Sequence, residues 1–176
     1  MKHYDFAPHF EQLYQKALAR YDQGVRQAAG LFDAGETAWL AGNGISAQTM
    51  FDYAEDHTNY GEPGLANAVA IEAVRRTYFH NVQQGRPSGI TLDAATLPGK
   101  ADAVQGIAWL PRLIPKAKAK LRGELPASLM YCCGGDRAFF QQHDISPYEF
   151  LGLVFRNEKD DAAIIAWVSA RSAAGR

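Results

Sequence analysis

The stretch GIAWLPRLIPKAKAKLRGELPASLMYCCGGDRAFF, Gly106 to Phe140, carries a cationic helix, both cysteines of the chain and a Gly-Gly turn. Leu110, Leu113, Ile114, Ala117 and Leu121 recur at helical spacing, so a helix is predicted from Pro111 to Arg122 with Gly123 beyond its end. LPASLMYCC reads as extended or turn-like. A fresh helix is predicted to start at Asp136 and to carry Phe139 and Phe140.

Outward from there the chain keeps its helical period. Ser146-Pro147-Tyr148-Glu149 combines a serine cap, a proline in the first turn and a glutamate three residues after the cap. The helix it opens is apolar nearly all round, through Phe150, Leu151, Leu153, Val154 and Phe155, and is predicted to be buried. Asp160 or Asp161 caps a last helix with Ile164, Trp167 and Val168 facing in. On the N-terminal side, helices are predicted over Pro8–Gln23, over Val25–Phe32 and, shortly, over Glu36–Leu40. Another follows the Ser46 cap, and a long one spans Gly64–Gln84, with Ile71, Val74, Tyr78 and Val82 on its inward stripe. The expected fold is all-α, with about six to eight helices in one globular unit, and the chain allows two helical lobes, 1–85 and 106–176. The Pro/Gly-punctuated segment 86–105 would wrap or connect them. No internal repeat is evident.

Composition narrows the functional classes. The 176 residues are 47% hydrophobic and 21% charged, with a net charge of −1. That balance argues against a nucleic-acid partner. No apolar run is long enough to span a membrane, and MKHYDFAPHFE resembles no targeting peptide. Adjacent Cys132 and Cys133 make a poor disulfide framework, so reduced thiols and a cytoplasmic location are expected.

Arg75 falls on the apolar stripe of its helix, where a guanidinium needs a carboxylate or several carbonyls. Glu55 and Asp56, acids in the last turn of the preceding helix, are the natural partners, with Glu62 as a competitor. Such an ion pair can tie two helices together. The alternative is a polar pocket, reaching Tyr78, in which Arg75 holds a ligand carboxylate or phosphate. Glu55, Asp56, His57, Glu62, Glu72 and His80 could ligate a metal. The chain has no Glu-x-x-His, His-Glu-x-x-His or Cys-x-x-Cys spacing, so no metal site is expected and no cofactor is named by the sequence.

The row Arg112, Lys116, Lys120 is expected to be the solvated back of an amphipathic helix, or else a stripe for an acidic partner. In Cys132-Cys133-Gly134-Gly135-Asp136-Arg137, two glycines before a helix N-terminus can converge backbone N–H groups on an anion or a thiolate. The plain alternative is a cysteine packed as a small hydrophobe, with Asp136 capping the helix.

Five blocks carry a family resemblance: Phe51–Pro63, Ala70–Phe79, Trp109–Pro126, Tyr131–Phe140 and Ser146–Val154. The chain resembles a bacterial family described only as a domain of unknown function, DUF5069. That resemblance implies a cytoplasmic globular domain and no reaction, cofactor or catalytic residue. The expected function is a non-catalytic ligand-binding or interaction domain, taking a small anionic ligand or a protein partner. Its polar pocket would be lined by Arg75, Glu55, Asp56, Glu62, Tyr78, Gly134, Gly135, Asp136 and Arg137. The alternative is a thiol-dependent enzyme or redox protein using Cys132 or Cys133. Neither oligomeric state nor ligand identity is legible.

Overall fold

A computed structural model describes residues 3–174. The described residues hold eight α-helices and one two-stranded sheet, and the chain divides into two compact units, Met1–Arg86 and Pro87–Arg176. Each is described by itself.

In the first unit a 3-10 turn, His3–Asp5, leads into α1 (Phe6–Asp22), whose Phe6, Phe10, Leu13, Tyr14, Ala17 and Tyr21 form its buried stripe. α2 (Ala34–Gly42) is opened by a reciprocal cap. Asp33 accepts from the Glu36 N–H at 2.9 Å, and the Glu36 carboxylate accepts from the Asp33 N–H at 2.9 Å. α3 (Ala47–Tyr60) is capped by Ser46 and packs along α1, while α4 (Gly64–Asn81) closes over both. Phe10, Leu40, Met50 and Ile71 are solvent-excluded at its centre. Two expectations are corrected. Residues 25–32 form turns, not a helix, because Gly24 and Gly30 sit at φ +95° and +100° and break the period on both sides. α4 ends at Asn81, which leaves Val82 exposed beyond the inward stripe.

The second unit takes in the segment after Arg86. Leu92 donates its N–H to the Glu124 carbonyl at 2.7 Å, and Arg112 donates to the Pro98 carbonyl at 2.8 Å. A 3-10 turn, Ala94–Thr96, precedes β1 (Ala103–Val104) and β2 (Ile107–Ala108), an antiparallel pair matching Ala103 to Ala108 and Val104 to Ile107. α5 (Leu110–Arg122), α6 (Gly134–Gln142), α7 (Pro147–Arg156) and α8 (Asp161–Ala174) follow. Asp160 caps α8 by accepting from the Ala163 N–H at 3.0 Å. α5 packs on α7, and Leu110, Leu113, Phe150, Leu151, Val154, Ile164 and Val168 make the core. Trp167 is only partly buried.

Some elements of the two units fall at a common spacing. α2 and α6 have the same bounds one hundred positions apart, Ala34–Gly42 and Gly134–Gln142. Each is followed by a residue at positive φ (Gly44 at +74°, Asp144 at +50°), a buried isoleucine (Ile45, Ile145) and a serine at the next helix cap (Ser46, Ser146).

Candidate functional site

The second unit concentrates its polar chemistry where α5 meets the start of α6. α6 begins at Gly134, two residues before the predicted start, with Cys133 in extended conformation as the residue before it. Asp136 therefore lies in the first turn instead of capping it. An anion is favoured there by the helix dipole, and its carboxylate turns back to accept from the Cys132 N–H at 2.8 Å. Gly135 is required by packing. A Cβ there would stand 2.4 Å from the Trp109 ring, which lies across this turn and donates its Nε1–H to Asp136 Oδ1 at 3.0 Å. Trp109 and Cys132 both sit at φ +70°, a conformation costing a non-glycine residue about 1–2 kcal/mol. Both are tied to the same carboxylate.

The residue missing from the sequence reading is Lys116. It belongs to the supposed solvated row, yet its side chain is 1% exposed, and Lys120 is buried too. Lys116 Nζ lies 2.7 Å from Asp136 Oδ2 and 3.2 Å from Cys133 Sγ. A buried ammonium costs several kcal/mol in lost hydration unless its partner is held ready. Here the partner carboxylate accepts from three donors, Lys116, Trp109 and Cys132. The rest of the cationic helix is also engaged within this unit: Lys118 with Asp161 at 2.5 Å and Arg122 with Glu158 at 2.6 Å. Arg137 donates to the Cys132 carbonyl at 2.8 Å. Cys132 is fully buried, whereas Cys133 is partly exposed. Below them, the buried Tyr131 hydroxyl donates to the Pro147 carbonyl at 2.7 Å, and its pKa is pushed well up by burial and then by Cys132 and Asp136. A partly exposed sulfur with an ammonium in hydrogen-bond reach, at a helix N-terminus, is an arrangement suited to nucleophilic thiol chemistry.

The other predicted site residues lie in the first unit. Arg75 is 3% exposed, donates to Gln83 Oε1 at 2.9 Å and holds its guanidinium 5.2 Å from the Phe79 ring centre. Tyr78, three residues on in the same helix, is buried, while Asp56 and Glu62 are partly exposed. Glu55 is exposed and accepts a long bond, 3.4 Å, from the Tyr21 hydroxyl. Arg76 is buried with its Nε on Asn43 Oδ1 at 2.7 Å and its NH1 3.0 Å from His3 Nδ1. Glu72 accepts from the Tyr53 hydroxyl at 2.6 Å. The buried Tyr14 hydroxyl has its pKa raised by burial to about 12. Among the described residues no group of three His, Cys, Asp or Glu side chains could hold a metal ion, and no helix is long and apolar enough to cross a membrane.

Residues 96–175 match the family model described as domain of unknown function, DUF5069. The match contains the blocks Trp109–Pro126, Tyr131–Phe140 and Ser146–Val154, and with them the whole Lys116–Cys133–Asp136 cluster. The blocks Phe51–Pro63 and Ala70–Phe79 lie outside the DUF5069 match. No curated protein and no solved structure matches the chain.

His80 supplies a pH test of the first unit. Its pKa is lowered from 6.5 by burial and then by Arg76, His3 and Arg75, so the unfolded chain binds the proton more readily. The stabilising contribution is present above pH 6.5 and is lost as pH falls through the lowered value. Urea unfolding of the wild type is expected to shift to lower urea between about pH 7.5 and about pH 5, and His80→Leu to flatten that shift. Equal acid sensitivity in the two proteins would exclude His80 as its source.

Proposed function

We propose that the second unit is a thiol-reactive module with Cys133 as its nucleophile. The observation that supports this is Lys116 Nζ, held by the buried Asp136 and 3.2 Å from Cys133 Sγ at the N-terminus of α6. Lys116 brings an ammonium within hydrogen-bond reach of the sulfur, Asp136, held by Trp109, fixes Lys116, and Cys132 is too buried to exchange with ligands. A single accessible thiol suits adduct formation with a small electrophilic or disulfide ligand. With a disulfide, the Cys133 sulfur attacks, the ligand S–S bond breaks, a mixed disulfide forms, and the departing thiolate takes a proton from water. Iodoacetamide labelling at about pH 7, read by peptide mass spectrometry, tests the module. Cys133 is expected to alkylate faster in the native protein than in urea, with Cys132 protected until unfolding. A native Cys133 slower than the unfolded one would end this reading.

A second reading concerns the first unit, as a binding site for a small carboxylate or phosphate around Arg75. It is favoured by the burial of the guanidinium-bearing side chains of two consecutive residues, Arg75 and Arg76, in one unit. A ligand bound only by the folded state at a hundredfold excess over Kd stabilises it by about 2.7 kcal/mol. Thermal shift with inorganic phosphate and with citrate is expected to raise the melting temperature of the wild type and not of a folded Arg75→Leu variant. Equal shifts in both proteins, or none in the wild type, would remove Arg75 as the ligand-holding group.

A further inference from the structure

We propose that the two units are copies of one helical module, and that Asp33 in the first unit occupies the place of Cys133 in the second. The correspondence runs at a constant spacing of one hundred positions and includes no shift of register from α1/α5 through α3/α7. Leu13 and Leu113, Ala17 and Ala117, Leu40 and Phe140, and Met50 and Phe150 are buried in pairs. The connection between the second and third helices repeats its backbone hydrogen bonds. Gly44 N–H donates to Ala41 as Asp144 does to Gln141, and Ile45 donates to Leu40 as Ile145 does to Phe140. Similar caps could arise in unrelated helical hairpins, but a repeated long-range ion pair is a stricter match. Lys16 Nζ meets Glu36 at 2.6 Å, and Lys116 Nζ meets Asp136 at 2.7 Å, each tying the first helix of its unit to the first turn of the second.

The copies differ in how deeply that pair is set. Lys16 and Glu36 are 39% and 22% exposed, against 1% and 0% for Lys116 and Asp136. They agree in what stands before the helix. Asp33, like Cys133, is the residue at the cap, and its carboxyl pKa is lowered by the Glu36 N–H and, among smaller causes, by Lys16. The position thus places a polar side chain at the cap of the helix whose first turn pairs with a lysine in both units, a carboxylate in one and a thiol in the other. Covalent chemistry is confined to the second copy, the one contained in the DUF5069 match. The shared-site part of this proposal rests on the thiol reading of Cys133; the duplication does not.

The test is Asp33→Cys combined with Cys133→Ser in the full chain. The thiol introduced at position 33 is expected to react with iodoacetamide faster in the native protein than in urea, and adding Lys16→Met is expected to abolish the excess. An introduced thiol that gains no native advantage, when Cys133 of the parent protein has one, overturns the equivalence of the two sites. If the parent Cys133 is itself slow, the thiol reading fails and a crystal structure of the full chain decides the duplication. Superposition of residues 10–54 on 110–154 in a single register supports it. Helices that align only after a register shift overturn it.

Discussion

The buried Lys116–Asp136 pair is the constraint on which the second unit is built. Either charge alone in that interior would cost several kcal/mol, so the two must be brought together, and the surrounding chain has to permit it. Gly135 carries no side chain because the Trp109 ring occupies that space. Trp109 and Cys132 accept left-handed backbone so that an indole N–H and a backbone N–H can reach the same carboxylate. Of the three Lys116 N–H donors one goes to Asp136, and another reaches the neighbouring sulfur of Cys133.

The first unit uses the same strut under weaker conditions. Lys16–Glu36 is open to solvent, where an ion pair contributes about 0–1 kcal/mol. Its buried polar groups are placed elsewhere, in Arg76 on Asn43 and in Tyr53 on Glu72. Gly44 is part of that arrangement. At φ +74°, it lets the chain pass so close to Phe79 that a Cβ would stand 2.7 Å from the ring. One helical order therefore supports a polar interior built on α4 in one unit and a polar junction at the α6 N-terminus in the other.

Much of the fold was legible because helix caps are local. Ser46, Ser146-Pro147 and the aspartates before α8 announce their helices within a few residues, and Gly123 marks the end of α5. α6 was misplaced by two residues because its true cap is a cysteine, and the acid that looked like a cap reaches backward to Cys132 instead. Of the candidate site, the Cys133-to-Asp136 turn was readable from its glycines. Lys116 was not, since residue type suggested solvent, although its place three after Leu113 and one before Ala117 set it on the apolar stripe. The one-hundred-residue correspondence was hidden by side-chain differences. Conserved spacing survives in pairs such as Lys16 and Lys116 or Ile45 and Ile145, while Tyr14 stands against Ile114 and Tyr53 against Leu153.

The most direct test is a double-mutant cycle on the pair itself. With Trp39 replaced by Phe, the remaining tryptophans, Trp109 and Trp167, lie in the second unit and report its unfolding in urea. Lys116→Met and Asp136→Asn are each expected to cost about 3–5 kcal/mol by stranding a buried charge. The double variant strands none, so it should lose less than the two singles together, with a coupling of about 2–3 kcal/mol. Additivity to within about 0.5 kcal/mol would contradict the account, because it would mean that Lys116 and Asp136 do not depend on one another.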